Sequence, residues 1–200
     1  LDLLGVIVGS EGTLAVVTEV TVRILRRPEA VLTLLAGFPS IDAAGEAVSA
    51  IIGSGIVPAA VEMMDRLTID AAEASVQPNF PKTSAVLIVE LDGPRVEVDD
   101  LFLTVERVCR DAGAVTVEVA RDAGQRDRIW KGRKAAFAAM GRVSPNYYVQ
   151  DGVIPRTRLP EVLVRIDALS QRYGLTVANV FHAGDGNLRS EEHTSELQSP

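Results

Sequence analysis

Apolar and polar positions along this chain follow two periods, and the period changes at recognisable breakers. Gly5–Gly12 (GVIVGSEG) reads as a short buried strand running into a Gly-Ser-Glu-Gly turn. Leu14–Leu25, rich in Val and Thr, reads as a second strand stopped by Arg26, Arg27 and Pro28. Val31–Phe38 is the next predicted strand. Ser40 and Asp42 suit the start of a helix over Ile41–Ser54, with Ala44, Val48, Ile51 and Ile52 on one face. Val57–Met64 predicts a strand, Asp65–Ser75 a helix, and Gln77–Lys82, with two prolines, a loop. Ser84–Leu91 is a strongly apolar strand stopped by Asp92-Gly93-Pro94. Val96–Ala112 predicts a helix with Val98, Leu101, Val105, Val108 and Cys109 near one face. Strand Val115–Ala120, helix Ala123–Met140 and strand Tyr147–Ile154 follow. Helix Arg158–Tyr173 is closed by Gly174, and Leu175–Phe181 is the last strand.

From residue 30 onward, strands and helices alternate. A doubly wound parallel sheet fits this order. A ferredoxin-like α+β fold, with an antiparallel sheet and helices on one face, fits it equally well. Arg189–Pro200 (RSEEHTSELQSP) breaks the pattern, with Leu197 its one aliphatic residue and no apolar face. That stretch resembles the translation of a sequencing-adapter oligonucleotide joined in frame, and reads as a non-native tail over 189–200. Setting it aside changes the formal charge from −7 to −5 and leaves His182 as the one native histidine. The chain opens at Leu1 inside an apolar run, which reads as a fragment of a longer protein.

Composition narrows the function classes. With 47% hydrophobic and 24% charged residues, the chain can fill a globular core. Its acidity and 4% aromatic content argue against nucleic acid as a partner. No stretch reaches the roughly 18 apolar residues of a membrane span. Cys109 is the single cysteine, so no internal disulfide forms, and it reads as a buried apolar residue.

Four groups of residues can carry chemistry. Gly9-Ser10-Glu11-Gly12-Thr13-Leu14 can bring backbone N–H groups to an anionic ligand, or can be an ordinary hairpin turn. His182-Ala183-Gly184-Asp185-Gly186-Asn187 follows a buried strand, and a neutral imidazole there can take a proton or bind a metal. A structural histidine fits that position too. Arg133, within Trp130-Lys131-Gly132-Arg133-Lys134, has the forked geometry that clamps a carboxylate, although a solvated basic helix face explains it as well. Tyr147 and Asp151 share one strand face and Tyr148 the other, which is also compatible with simple packing.

Taken together and in order, GSEGTLAVVTEVTVRI, WKGRKAAFAAMGRVSPNYYVQDGVIPRTRLPEVL and VANVFHAGDGNL resemble the FAD-linked 2-hydroxy-acid oxidases and dehydrogenases. The likeness is strongest to their glycolate oxidase and D-lactate dehydrogenase branch. It implies the last strands of a flavin-binding domain over 1–27, with FAD contacted by Gly9, Ser10, Glu11, Gly12, Val16 and Val17. It implies a ferredoxin-like substrate domain over 28–188. Arg133 then holds the substrate carboxylate, Tyr148 joins substrate binding, and His182 acts on the 2-hydroxyl. In members with a divalent metal (zinc, manganese or iron), His182 is also a ligand. The family's second histidine falls at position 189, where Arg189 stands, and its acidic ligand falls beyond this chain. Val149 replaces the lysine of 2-hydroxyglutarate-type relatives, favouring glycolate or D-lactate.

The resemblance further implies hydride transfer to FAD, with electrons passed to a partner subunit or a quinone. It implies a cytoplasmic location, or a peripheral one at the inner face of the membrane within a complex. The 200 residues alone are expected to hold FAD poorly and to be inactive. The competing class is a non-catalytic α+β effector-binding or interaction module. The two separate on geometry, because one small substrate requires Arg133, Tyr148 and His182 within roughly 15 Å.

Overall fold

The computed structural model describes residues 2–24, 26–144, 146–184 and 186–193, with 156 and 187–193 described through the backbone alone. The strands are β1 (Ala30–Phe38), β2 (Ala60–Asp65), β3 (Ala85–Gly93), β4 (Thr116–Val119), β5 (Tyr148–Val153), β6 (Thr176–His182) and β7 (Asn187–His193). They form one sheet in the order β4-β1-β3-β2-β6-β7-β5. Every recorded pairing is antiparallel, which decides between the two architectures in favour of α+β.

Helices α2 (Ile41–Gly53), α4 (Arg95–Asp111) and α6 (Leu159–Tyr173) cover one face of the sheet. Helices α3 (Arg66–Val76) and α5 (Ala123–Ala139) cover the other. The expectation of helices on one face is therefore corrected, and β3 shows why. Its Leu87, Val89 and Leu91 enter the first core, and its Val86 and Ile88 enter the second. A strand apolar on both faces needs both covered. Cys109 lies in the first core, and burial pushes its thiol up to about 12, so it packs rather than reacts.

Side-chain caps set the helix starts. Ser40 accepts from the Ala43 N–H at 3.1 Å to start α2, and Asp122 accepts from the Gln125 N–H at 2.9 Å to start α5. Asp65 caps α3 and ties β2 to β6. It accepts from the Thr68 N–H and hydroxyl at 2.9 and 2.8 Å, and from the Asn179 backbone and side-chain amides at 2.6 and 2.9 Å. Burial pushes the Asp65 carboxyl above its usual range, while these donors pull the other way. The knot fixes the β2–β6 register three residues from the site described below.

The two strands expected over 5–25 do not form. Leu3–Val8 is a short helix, α1, whose Gly5 N–H donates to Asp2 at 2.9 Å, and the residues from 15 to 24 carry no strand. Val16, Val20, Val22 and Ile24 are exposed, and Leu25 lies outside the described residues. An extended stretch needs ladder partners, which this chain does not supply there, so local capping prevails at its start.

At the other end, Arg189–His193, which the polar pattern leaves out of the fold, continues β7 between β6 and β5. Ladder bonds come from the backbone, so a strand position between two partners tolerates side chains with no apolar alternation. Residues 194–200 lie outside the described residues. Among the described residues, no helix is long and apolar enough to cross a membrane.

Candidate functional site

Helix α5 presents Arg126, Ile129, Trp130, Arg133 and Ala136 at three- and four-residue spacings, so they share one face. That face lies on the sheet, with Ile129 and Ala136 in the second core and Trp130 packed against it. Gly132 permits the close approach. A Cβ there would meet Phe80 Cζ at 2.5 Å and Pro78 Cβ at 2.6 Å. Arg128 fastens the same side of α5 to Glu118 and to the Pro78 carbonyl.

Two sheet carboxylates meet this helix face. Glu90, on β3, accepts from Arg126 Nε and Nη2 at 2.8 Å each, from Trp130 Nε1 at 2.7 Å and from Thr33 Oγ1 at 2.7 Å. Burial works against its charge, but the Arg126, Thr33 and Trp130 bonds outweigh burial and hold the carboxyl below its usual range. Glu62, on β2, accepts from Arg133 Nε at 3.0 Å and Nη2 at 2.8 Å, both through Oε2. Its Oε1 lies 2.9 Å from His182 Nδ1. His182 ends β6 directly opposite Glu62 in the ladder. The Glu62 and Arg133 side chains are 8% and 12% exposed, whereas that of His182 is 46% exposed.

The structure thus brings Arg133 and His182 together. Sharing one carboxylate, their bonded nitrogens lie within roughly 8 Å of each other, inside the span a small substrate bridges. No other partner of Arg133 Nη1 or His182 Nε2 is recorded among the described residues. A cavity of about 140 Å³ is bordered by Glu62 and His182, with Ile52, residues 57–61 and Gly184 completing its lining.

Tyr148 does not join this group, so the expected grouping within roughly 15 Å holds for Arg133 and His182 and fails for Tyr148. Through Glu192 it shares a sheet row with Val177, five residues along β6 from His182, or roughly 17 Å at the strand rise. Five is an odd offset, so Tyr148 lies on the opposite sheet face from His182. Tyr147 is the tyrosine nearer α5, with its ring edge-on to Phe137 at 6.2 Å between centroids. Asp185 lies outside the described residues.

The residues expected to meet FAD lie in the N-terminal segment before β1. Gly9, Ser10, Glu11 and Gly12 form the turn after α1, where Ser10 Oγ donates to the Ile7 carbonyl at 2.8 Å. Val16 and Val17 are exposed. Glu11 and Gly12 are both left-handed, with φ of 50° and 80°, and no acceptor is recorded for either N–H among the described residues. An open turn with successive free N–H groups fits contact with an anionic cofactor through the backbone. A divalent metal fits less well. Among the described residues no three His, Cys, Asp or Glu side chains converge, and His182 offers one nitrogen.

Glu62 escapes a reading based on periodicity. The signal was nevertheless present, since Ala60–Asp65 (AVEMMD) is a buried apolar strand interrupted by one acid, as β3 is by Glu90. A buried carboxylate requires partners.

Comparisons with known proteins bear on the family and the fold. The profile of the family described as FAD linked oxidases, C-terminal domain, matches residues 27–190. Glycolate oxidase subunit GlcD of Escherichia coli (strain K12) is 50% identical over 188 residues, covering 94% of this chain and 38% of that protein. The probable mitochondrial D-lactate dehydrogenase of Danio rerio is 30% identical over 189 residues, covering 94% of this chain and 38% of that protein. A solved structure of alkyldihydroxyacetonephosphate synthase superposes with a TM-score of 0.69 at 17% identity, covering 96% of this chain and 41% of that one. This chain spans about two fifths of the length of each.

Proposed function

The chain belongs to the family of FAD linked oxidases, C-terminal domain, and from that premise we propose that it forms the substrate-binding half of a flavoenzyme. That enzyme oxidises a small 2-hydroxy acid, glycolate or D-lactate, to the 2-keto acid. In this reading residues 28–188 are the substrate domain and residues 1–27 the end of the flavin domain. The turn at Gly9, Ser10, Glu11 and Gly12, with Val16 and Val17, contributes to the cofactor site. The observation that carries the proposal is that Arg133 and His182 are held by one carboxylate, Glu62, which borders a cavity together with His182.

The chemistry follows from the atoms left open. Arg133 spends its Nε and one Nη2 hydrogen on Glu62, so its Nη1–Nη2 end edge remains for a carboxylate in two parallel bonds. A carboxylate only accepts, so His182 Nδ1 carries a hydrogen toward Glu62, and it is the neutral imidazole whose Nε2 keeps a lone pair. In a 2-hydroxy acid the carboxylate and hydroxyl sit on adjacent carbons. Arg133 therefore fixes the acid end while His182 Nε2 accepts the hydroxyl proton. FAD, when bound, supplies the two-electron acceptor that takes the α-hydrogen as hydride. Loss of that hydride and of the hydroxyl proton leaves the 2-keto acid. The electrons then pass to a partner subunit or a quinone, a route supported by the description of the E. coli relative as a subunit. Val149 supplies no second cation on β5 for a dicarboxylate.

The test is anaerobic bleaching of flavin absorbance in the flavin-loaded protein carrying this chain. Glycolate or D-lactate is expected to bleach it, with a 2-keto acid as product. A protein that holds no flavin, or whose flavin stays oxidised with every 2-hydroxy acid, overturns the proposal.

A further inference from the structure

We infer that Glu62 is a positioning residue for this reaction: its single buried carboxylate sets the angle between the guanidinium that grips the acid and the imidazole that faces the hydroxyl. The inference rests on the reading of Arg133 and His182 given above, and deepens it.

Glu62 has a fixed platform. It lies within the sheet on β2, which pairs with β3 on one side and β6 on the other. The ladder places it opposite His182, and the Asp65 knot locks the same two strands. The side chain is 8% exposed, so its geometry is set by packing rather than by solvent. Its oxygens are divided between its partners, Oε2 taking the side edge of Arg133 and Oε1 taking His182 Nδ1. Each bond occupies the edge of its partner that the substrate does not need. The Arg133 end edge and His182 Nε2 remain open.

An ion pair serving stability alone has no such division. It would leave the orientation of a half-exposed imidazole unspecified. Here the carboxylate also selects the His182 tautomer. With Nδ1–H committed to Glu62, Nε2 is the acceptor, as in sites where a carboxylate orients a working histidine.

Glu62→Gln separates this role from packing, because the amide keeps the volume and reverses half the bonding. Its oxygen still accepts from Arg133, but its NH₂ donates to His182 Nδ1 and moves the imidazole hydrogen to Nε2. In the flavin-loaded protein, turnover per bound flavin is expected to fall by at least about 10–100-fold, the range for a carboxylate behind a metal-ligating histidine. KM for the 2-hydroxy acid is expected to change far less, since Arg133 keeps its partner. Glu62→Asp retains two accepting oxygens and is expected to recover part of kcat. Combining Glu62→Gln with His182→Gln is expected to cost no more than His182→Gln alone.

Turnover per flavin within twofold of the parent for Glu62→Gln overturns the inference, as does full additivity in the double variant. If Glu62→Gln holds no flavin, Glu62→Asp decides, because kcat per flavin lowered at unchanged KM supports positioning and unchanged kcat overturns it. Arg133→Ala, measured alongside, separates the two layers. If it also turns over normally, the reading of the site fails, whereas if it alone is impaired, only the role of Glu62 falls.

Discussion

Two carboxylates emerge from neighbouring strands onto the same face of the sheet, each meeting an arginine of α5, and they end in opposite states. Glu90 is closed, with Arg126, Trp130 and Thr33 consuming its acceptor capacity. Glu62 is half open, since it holds the side edge of Arg133 and Nδ1 of His182, and Glu62 and His182 both border a cavity. One helix period places both arginines, Arg126 and Arg133, toward the sheet. An arginine–glutamate pair beneath a helix therefore says little by itself about function. Both arginines leave the same Nη1–Nη2 edge unbonded; what differs is the second partner, since Glu90 takes the Trp130 and Thr33 donors whereas Glu62 takes the His182 imidazole.

The sharpest way to break this contrast is to delete each arginine's role in turn. Arg133→Ala is expected to lower kcat/KM for a 2-hydroxy acid by roughly 10³-fold, on the order of 4 kcal/mol, in steady-state assays of the flavin-loaded protein. Glu90→Gln is expected to leave turnover per flavin unchanged and to lower unfolding free energy by about 2 kcal/mol. That figure is discounted because Arg126 is 39% exposed. The pH dependence has a definite sign. The Glu90 carboxyl sits lower in the folded state than its ordinary value of 4.5. Its contribution is complete above about 4.5 and is lost as pH falls through the lower folded value. Denaturant titrations at descending pH should show a shallower acid decline in Glu90→Gln than in the parent.

Smaller effects sharpen the geometry. Gly132→Ala forces a Cβ against Phe80 and Pro78 and so lifts α5 from the loop, while the helix gains up to about 1 kcal/mol of propensity. A net loss of about 1–2 kcal/mol in urea unfolding is expected, with KM for the acid rising as Arg133 shifts. Asp122→Ala removes the α5 cap and is expected to cost about 1 kcal/mol in the same measurement, with kcat unchanged.

Much of the fold was legible because its signals are local. Ser40 and Gly174 mark helix ends, and the continuous apolar run of β3 marks a central strand. The direction of pairing was not legible, because helices between antiparallel strands give the same alternation as βαβ units. The covering of both faces follows from β3 being apolar on both sides, a feature that periodicity alone leaves unread. In residues 5–25 the β-branched pattern misled, since propensity forms no strand without a neighbouring one. At the site, Arg133 and His182 stood out by residue type and by resemblance. Tyr148 was placed with them by the resemblance, but the register sends it to the far face. Glu62 was passed over as one letter in a strand, although an acid between Val61 and Met63 is itself a demand for hydrogen-bond donors.

The most direct test of the account compares a 2-hydroxy acid with its methyl ester, in the parent protein and in Arg133→Ala. The ester has lost the charge that the Nη1–Nη2 edge of Arg133 is held open to receive. The account predicts that the parent prefers the acid by about 100-fold or more in kcat/KM, and that the preference collapses toward unity in Arg133→Ala. An acid preference that survives intact without Arg133 would contradict it.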